Sequence, residues 1–450
     1  MDNRNLSLKI IAALFIISLI IRLFFIIKHG EIDIESDSYL HFLWSQAWIH
    51  WPHGYYNILI NVWAKPLFTF ISGIVLYSTV ENIIVIKFMN TTIWIGSLYL
   101  IYIISKEHKL SREAIFFSIF FTSFSFLALR SSIGSLTEPL FTFLILAAYY
   151  FILRKNFVLS SILISLSFLC RMEGVIFIAI WAAYCFKNGK YTQLLILLIF
   201  PLLWMLASFL ILGDALYIIN GGYPLSSPYG RGDIHYYFLG LFKYEPIIFS
   251  LFLVSIPLFY KRFFCIKMCV ISVLVFNIII FNYGLLGSAG ILRYFVPIIP
   301  FMSLLAAATL KELTERLRIN NPVPGYLIFS VIILLQLIYT FALISGNGFD
   351  YMEYDSPHVN QELINSGIFI KSLDQNKPLY AEDPAIIYFS ERVMFVNSFF
   401  SQPPVDTANI YYAYDIGFSK NNSGNKKIDY YLDNCALMHN FSDYVYLFEC

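Results

Sequence analysis

The chain has 450 residues, of which 58% are hydrophobic and only 13% are charged, and its formal net charge is +1. A soluble domain carries about 25% charged residues, so this composition excludes an ordinary soluble protein and indicates an integral membrane protein with many spans. The nearly balanced charge gives no sign of nucleic-acid binding.

The first predicted element is an apolar run over residues 10–27, with Arg4 and Lys9 before it. No small-residue cleavage site follows the run, so we interpret it as a retained first span rather than as a cleaved signal peptide. Ten further apolar runs bring the prediction to about eleven transmembrane helices. These runs lie at about residues 83–104, 113–129, 138–153, 157–170, 174–186, 192–212, 246–260, 266–283, 294–310 and 325–345.

The loop between the first two spans, residues 28–82, is long and acidic. Its early carboxylates fall close together, at Glu31, Asp33, Glu35 and Asp37. The segment 66–77 is apolar but shorter than the ~20 residues of a span, so we expect a helix at the membrane surface there. Loops of this length usually have a function. This loop is therefore the first place to look for a site.

Basic residues are distributed unevenly between the two ends of the predicted spans. With the N-terminus inside, 15 of them fall in inner segments and seven in outer loops before residue 346. This bias holds only if the segment 66–77 does not span. It predicts a multi-pass protein of the plasma (inner) membrane with a cytoplasmic N-terminus and with residues 346–450 outside. The acidic first loop then lies on the outer face.

The composition changes in residues 346–450, which hold 14 of the chain's 29 acidic residues. Residues 361–373 have helical spacing. Short strands are predicted at residues 378–383, 393–397 and 443–450. We therefore predict a transmembrane domain over residues 1–345 and a small extracytoplasmic α/β domain over residues 346–450. The predicted fold class is a polytopic α-helical membrane protein with a C-terminal α/β domain.

The six cysteines divide into two groups. Four lie in or beside apolar runs, where cysteine usually acts as a small packing residue. Cys435 and Cys450 are the two cysteines of the polar C-terminal part. We predict a disulfide between them, because oxidation is allowed outside the membrane.

Two predicted helices, 157–170 and 174–186, each cover only ~20 Å of a ~30 Å hydrocarbon core. Their shared turn, "CRMEG", therefore lies at or below the outer interface. Charges there are costly unless they are paired or line a cavity. Arg171 and Glu173 are candidate site residues for this reason. The alternative is a mutual salt bridge that only locks the turn.

Further charged positions lie at the outer ends of helices. Glu138 begins a span in "SLTEPLF", where Thr137 can serve as the N-cap and a helix start favours a carboxylate in any case. Lys65 precedes a proline at the head of the surface helix, and it either snorkels to the interface or contacts a phosphate. Arg293 and Tyr294 lie at the outer end of a late span, in "SAGILRYFVPIIP".

The first loop also contains histidines, at positions 29, 41, 50 and 53. A histidine beside carboxylates could ligate a divalent metal, but this spacing is not diagnostic. The cofactor is therefore left open, with a divalent metal ion as one alternative. The charged candidates come from separate segments that all reach the outer membrane surface. A site that joins a lipid-borne group to an outside acceptor needs this arrangement.

In chain order, these motifs resemble those of a family of membrane enzymes. An acidic residue stands two positions before a tyrosine in "SDSYLHF", and "KPL", "TEPLF", "CRMEG" and "RYFVPIIP" follow. The order resembles the GT-C superfamily of polytopic glycosyltransferases, and in particular relatives of the lipid A aminoarabinose transferases and protein O-mannosyltransferases. The stretch "DPAIIYFSERVMFV" is similar to the outer domain of many such proteins. The resemblance covers nearly the whole chain and implies a GT-C-like fold.

The resemblance implies an integral membrane glycosyltransferase. It would move a sugar from a polyprenyl-phosphate donor to a hydroxyl of a glycan, lipid or protein acceptor on the outer face, with inversion. In the family a first-loop carboxylate is the general base, a role that falls here to Asp37. Glu138 and Glu173 complete the catalytic candidates. The substrate-binding candidates are Glu35, Tyr39, His41, Lys65, Arg171, Arg293 and Tyr294.

Two other functional classes stay open. A transporter or flippase for lipid-linked saccharides predicts charges at mid-membrane and paired repeat halves. Here the candidate charges lie at the outer rim, and no repeat is visible in the sequence. An inactive scaffold of an envelope assembly needs no buried charge at all. The sugar and the acceptor are also open, because relatives often read "TRPEG" or "TKGP" where this chain has "CRMEG".

Overall fold

The structure is a computed structural model of the chain. The described residues are 3–33, 35–49, 65–217, 231–259, 261–285, 288, 290–316, 322–345, 361–373, 379–381, 383–391, 395–397, 411–415, 435–440 and 445–449. Three sequence features lie outside these residues: His50 and His53 of the first loop, and Cys450.

Helices dominate the described part of the chain. They are α1 (Asn3–His29), α2 (Ser36–Ile49), α3 (Pro66–Tyr77), α4 (Ile83–Glu107), α5 (Arg112–Phe124), α6 (Phe126–Ile133), α7 (Glu138–Leu153), α8 (Phe157–Cys170), α9 (Gly174–Lys187), α10 (Tyr191–Leu212), α11 (Tyr236–Tyr244), α12 (Pro246–Leu258), α13 (Phe264–Asn282), α14 (Ile299–Arg316), α15 (Pro322–Ser345), α16 (Gln361–Lys371) and α17 (Pro384–Ser390). A 3₁₀ helix, Leu292–Ile298, runs directly into α14.

The chain is a multi-pass membrane protein. Within the described residues, six helices are long and apolar enough to cross a membrane, or eight spans if each of two bent helix pairs counts as one. The predicted number of about eleven is not confirmed. All the predicted apolar runs are helical, but α7, α8 and α9 have only 16, 14 and 14 residues. These lengths fall short of the ~20 residues that a span needs. The surface segment 66–77 is helical, as expected.

Proline and serine residues mark the starts of several helices around the site. Pro66, Pro139 and Pro246 lie in the first turns of α3, α7 and α12, where a missing backbone N–H costs nothing. Ser125 interrupts the run that was predicted as one span, because its extended backbone separates α5 from α6. Its hydroxyl caps α6 by accepting the Ala128 N–H at 3.2 Å. The two helices are bent by 55° at this break.

The membrane helices pack around a core of buried apolar side chains. Helix α5 packs along α14, α4 along α7, α7 along α8, and α12 along α14. Trp94, Phe121 and Phe141 are among the largest side chains that are fully buried there. In contrast, only 28%, 17% and 11% of the residues in the apolar windows of α1, α10 and α15 are buried inside the protein. These three helices therefore present apolar faces to lipid.

The C-terminal part contains a five-stranded sheet in the order β2-β1-β3-β5-β4. Its strands are β1 (Leu379–Ala381), β2 (Phe395–Asn397), β3 (Tyr411–Asp415), β4 (Ala436–Asn440) and β5 (Val445–Glu449). β1 pairs in parallel with β2 and β3, and β5 pairs antiparallel with β3 and β4. The predictions of α16, β1, β2 and β5 are confirmed, whereas β3 and β4 were not predicted. The domain boundary at residues 345 and 346 stays a prediction.

Helix α17 of this part packs on α2 of the first loop. The Ser36 hydroxyl donates to Asp383 Oδ2 at 2.7 Å, and both residues are buried. Asp383 also caps α17, because its Oδ1 accepts the Ala385 N–H at 2.7 Å. The rings of Tyr39 and Tyr388 lie 4.9 Å apart beside this contact. We call this end of the helix bundle, where α2 and α17 meet, the site end.

Candidate functional site

Two of the predicted site carboxylates flank the start of α2. Glu35 precedes the helix and Asp37 lies in its first turn, where the helix dipole favours negative charge. The Glu35 side chain is only 2% exposed, but the Asp37 side chain is 35% exposed. The corresponding values for Glu138 and Glu173 are 1% and 18%. Asp37 is therefore the most accessible of the four predicted site carboxylates.

Arg293, in the 3₁₀ helix, joins the first loop to the start of α7. Its guanidinium forms ion pairs with both Glu35 and Asp37, although these residues are far from it in sequence. Its Nε also lies 3.4 Å from Glu138 Oε1. The Arg293 side chain is only 6% exposed, so these charges interact with little screening by water. The structure thus brings together candidates from three separate segments.

Arg171, in the short turn between α8 and α9, extends the same network. Its NH1 donates to Glu138 Oε1 at 2.5 Å and to Thr137 Oγ1 at 3.0 Å. Its NH2 and Nε donate to the two carboxylate oxygens of Glu173 at 2.7 and 3.3 Å. The predicted salt bridge of the turn is therefore present, but it is also tied to Glu138. The Tyr294 ring faces the Arg171 guanidinium, 5.3 Å from its carbon.

Lys65 lies at the N-cap of α3 in a left-handed conformation, with φ of 46°. This conformation is uncommon for a residue with a side chain and occurs often at functional sites. Lys65 is 7% exposed. Burial, and then the positive charge of Arg171, lower the pKa of Lys65 to about 8, while Glu173, Asp37 and Glu138 oppose the shift. Lys65 therefore shares the electrostatic environment of the arginine–carboxylate network.

Three buried charged residues of this region, Asp33, Lys87 and Arg130, were not predicted as site residues. Arg130, in the last turn of α6, lies with its NH2 3.2 Å from Glu35 Oε1. Lys87 of α4 lies 3.6 Å from Asp33 Oδ2 and donates to the carbonyl of Ile32 at 2.8 Å. The sequence did contain a signal for Lys87, because a lysine inside an apolar run is costly without a partner.

Two predicted substrate-binding residues make hydrogen bonds that hold α2 in place. The buried Tyr39 hydroxyl accepts the Asp33 N–H at 2.8 Å and donates to the Glu31 carbonyl at 3.2 Å. His41 Nδ1 lies 3.0 Å from the Ser135 carbonyl, so this nitrogen must carry the proton. Burial lowers the pKa of His41 to about 3 and keeps the ring neutral. These contacts give Tyr39 and His41 structural roles, and their contact with substrate stays a prediction.

The buried network has balanced formal charges. It contains Glu35, Asp37, Glu138 and Glu173 with Arg130, Arg171, Arg293 and Lys65. Buried charges are tolerated when they are paired in this way. Among the described residues, no group of three or more His, Cys, Asp or Glu side chains could hold a metal ion. The accessible carboxylate, Asp37, can accept a proton from a bound group. The arginine and lysine side chains of the network can bind an anion.

No family model matches the chain, and no curated protein matches its sequence. Solved structures do match it. The structure of ArnT from Cupriavidus metallidurans bound to undecaprenyl phosphate has a TM-score of 0.64 and 10% identity, and the match covers 98% of this chain and 97% of that one. The same enzyme in the apo state gives a TM-score of 0.61 and 11% identity, with coverage of 98% and 97%.

A second similar structure is the oligosaccharyltransferase of Archaeoglobus fulgidus in its apo form. Its TM-score is 0.58 and its identity is 12%, with 91% of this chain and 70% of that chain covered. The same protein, AglB, matches equally well in complex with an inhibitory peptide and a dolichol-phosphate. ArnT and AglB both belong to the GT-C superfamily. The GT-C-like fold implied by the sequence motifs is confirmed.

Proposed function

We propose that this chain is a membrane glycosyltransferase that moves a sugar from a polyprenyl-phosphate donor to an acceptor hydroxyl on the outer face of the membrane. The observation that carries the proposal is the buried arginine–carboxylate network at the site end of a GT-C-like fold. Two similar structures were solved with lipid phosphates, namely undecaprenyl phosphate and a dolichol-phosphate. At 10–12% identity these similarities support a common fold, so the chemistry is argued from this chain's own residues.

Asp37 is the proposed general base. The acceptor hydroxyl must lose a proton as it attacks the anomeric carbon, and a carboxylate within reach can take it. Asp37 is 35% exposed, whereas Glu35 and Glu138 are almost completely covered. Asp37 is therefore the carboxylate of this set that is most open to an incoming acceptor. Direct attack by the acceptor in a single displacement inverts the anomeric carbon.

The cations of the network are proposed to hold the donor phosphate. Negative charge grows on the lipid phosphate as the sugar leaves, and positive groups fixed in advance stabilise that charge. Lys65, Arg171 and Arg293 are suitable because each is buried and near the base. Glu138 and Glu173 fix Arg171 between them, which keeps its guanidinium in one orientation.

The resting network sets a condition on this reaction. Arg293 is paired with Asp37 before any donor is present. A phosphate that binds Arg293 competes with Asp37 for the same guanidinium. Donor binding would therefore free the carboxylate to accept a proton, so that the base becomes active after the donor has arrived.

The alternatives fit the described residues less well. A transporter with broken helices uses the freed backbone groups to bind its substrate or ion. Here the carbonyl of Phe124, at the break between α5 and α6, already accepts hydrogen bonds from Gln336 at 3.0 Å and Thr340 at 2.7 Å. An inactive scaffold has no use for a buried network, whose desolvation is costly.

The remaining parts of the proposal follow from the charge distribution in the sequence. The protein would lie in the plasma (inner) membrane with its N-terminus in the cytoplasm. Residues 1–345 would form the membrane domain, and residues 346–450 an extracytoplasmic domain above the site. The acceptor would be a glycan, lipid or protein hydroxyl, and its identity has to come from experiment.

The proposal is tested with purified protein and a panel of radiolabelled sugars linked to polyprenyl phosphate. We expect the wild type to break the sugar–phosphate bond of at least one donor and to pass the sugar to an acceptor in an envelope extract. Asp37→Asn should abolish this transfer. The matched control is Asp233→Asn, at an exposed carboxylate outside the network whose Oδ1 accepts the His235 N–H at 3.0 Å.

Two results would contradict the proposal. One is movement of intact lipid-linked sugar across vesicles without cleavage of the sugar–phosphate bond, which would favour a transporter. The other is equal transfer by wild type and Asp37→Asn, which would contradict the role of Asp37 as the base.

A further inference from the structure

Glu245 is a buried carboxylate at the break between α11 and α12, outside the proposed catalytic network. Its Oε1 accepts the Ser125 hydroxyl at 2.5 Å and the Leu127 N–H at 3.0 Å. The ring of the preceding residue, Tyr244, stacks on Phe126 with centroids 5.4 Å apart. Glu245 is therefore a cap for the start of α6 that comes from a distant part of the chain.

The start of α6 needs such a cap because it lies inside the protein. The first N–H groups of any helix have no partner within the helix. In a membrane domain, water cannot replace that partner cheaply. Ser125 satisfies the Ala128 N–H and Glu245 satisfies the Leu127 N–H.

The other side of the same break is held as firmly. The Ser123 carbonyl accepts from Arg22 NH2 at 3.1 Å. The Phe124 carbonyl accepts from Gln336 and Thr340 at 3.0 and 2.7 Å. An N–H donor at the start of α6 and the carbonyl acceptors at the end of α5 are thus both paired with side chains from distant parts of the chain. The break has one defined geometry.

Helix α6 begins at this break, and Arg130 in its last turn contacts the catalytic network. Only about one turn of helix, ~6 Å of rise, separates Phe126 from Arg130. Arg130 is 3% exposed, and its NH2 lies 3.2 Å from Glu35 Oε1. Glu35 is in turn paired with Arg293, the partner of Asp37. The start of α6 is therefore connected to Glu35 through one turn of helix and one ion pair.

We infer that Glu245 is a positioning residue: it fixes the start of α6 and thereby places Arg130 against Glu35 in the network. The inference rests on the proposed function, because the network is the proposed catalytic site. Glu245 touches no reacting group itself. Its carboxylate acts as a hydrogen-bond acceptor, so an uncharged acceptor of the same shape should replace it.

Substitutions at Glu245 test this role. Glu245→Ala removes the acceptor, and a displacement of about 1 Å at a site can lower turnover by ~10²-fold. Glu245→Gln keeps an oxygen for Ser125 and Leu127. The amide nitrogen takes the place of the second oxygen of Glu245, which receives neither of these two hydrogen bonds. We expect Gln to restore turnover to within about threefold of the wild type.

A double-mutant cycle separates positioning from general stability. If Glu245 acts through Arg130, Glu245→Ala should lower turnover by less than about twofold in an Arg130→Gln background. The matched control is Ser111→Ala, which removes the N-cap of α5 at the far end of the same helix pair. Its effect should add to that of Arg130→Gln. Full additivity for Glu245→Ala, or failure of Gln to rescue, would overturn the inference.

A second measurement does not depend on transfer activity. Amide hydrogen exchange of residues 126–133 should be faster in Glu245→Ala, but unchanged in Glu245→Gln and in Ser111→Ala. If Glu245→Ala does not fold, Glu245→Asp replaces it, because the shorter side chain cannot reach both donors. Unchanged exchange in α6 would refute the role of Glu245. Inactivity of the wild-type protein with every donor would instead contradict the proposed function and leave the exchange result valid.

Discussion

Arg293 and Asp37 form an ion pair although 256 positions of sequence separate them. Arg293 is almost fully buried, and Asp37 is the partner that reaches solvent. Both residues were candidates from the sequence. Arg293 is now the proposed ligand of the donor phosphate, and Asp37 is the proposed general base. Their direct contact means that the proposed base and the proposed phosphate ligand neutralise each other in the resting protein.

Asp37→Asn should therefore have two opposite effects. Transfer should fall by about 10²- to 10⁴-fold, because an amide cannot accept the acceptor's proton. Donor affinity should rise, because Arg293 no longer pairs with a competing carboxylate. Binding of a labelled polyprenyl phosphate and single-turnover transfer measure the two effects. Asp233→Asn serves as the control, and weaker donor binding by Asp37→Asn would contradict the competition between carboxylate and phosphate.

Donor binding should depend on pH through Lys65. Burial, and then the nearby Arg171, lower the pKa of Lys65 to about 8, so this lysine loses its charge as the pH rises through that value. Affinity for an anionic donor should fall between about pH 7 and pH 9 as the protonated fraction drops. Lys65→Arg keeps its charge over this range and should flatten the profile. An identical slope in both proteins would exclude Lys65 as a phosphate contact.

Arg171 should contribute strongly to stability. Replacing it with alanine leaves Glu138 without its 2.5 Å partner and Glu173 without its bidentate partner. Breaking a buried ion pair costs about 3–5 kcal/mol. The matched control is Arg154→Ala, whose partner is Glu107 at 3.1 Å but whose side chain is 58% exposed.

The exposed pair should be worth less than about 1 kcal/mol. Thermal unfolding in the same detergent compares the two variants. Equal losses would mean that the Arg171 network adds no more than a surface pair.

The contact of α17 with α2 should be sensitive to Ser36→Ala. This change removes the hydroxyl that donates to buried Asp383 at 2.7 Å. A buried acceptor that loses its donor costs about 1–3 kcal/mol. The control is Ser78→Ala, where an exposed serine donates only to a local carbonyl. Limited proteolysis of the C-terminal part should be faster in Ser36→Ala alone, and equal rates would argue against this contact as a support.

The disulfide between Cys435 and Cys450 stays a prediction. Cys435 is disulfide-bonded, whereas Cys450 lies outside the described residues. A bridge that closes a loop of about 15 residues stabilises by ~3 kcal/mol on the chain-entropy model. Mass spectrometry of non-reduced peptides should find the two cysteines linked. Free thiols at both positions would reject the pairing.

Much of the fold could be predicted because the relevant signals are local. Apolar runs identified the helices, and proline and serine marked several of their starts. The number of spans could not be predicted, because hydropathy does not reveal that α5 and α6 are bent by 55°, and because the 16-residue run of α7 was taken as a span although it is shorter than ~20 residues. Strands β3 and β4 were missed because the turn signals around them were not recognised as strand boundaries.

The site was predicted in part for a similar reason. Asp37, Glu138, Arg171 and Arg293 were found as unusual charges at helix ends, and the structure brings them into contact. Arg130 was not among the candidates from the sequence. Its role depends on Glu35, which is 95 positions away, and a single sequence does not show which distant residues come into contact. Buried partners of this kind are visible only after folding.

The hydrogen bond between Ser36 and Asp383 also has a consequence for biosynthesis. These residues are 347 positions apart, and helices α3 to α16 are made between them. At about 5–20 residues per second, a ribosome needs on the order of 20–70 s to pass from one to the other. During that interval Asp37 lies on a helix that lacks its final support. We therefore expect a nascent chain not to cleave lipid-linked sugar donors until translation has passed Asp383.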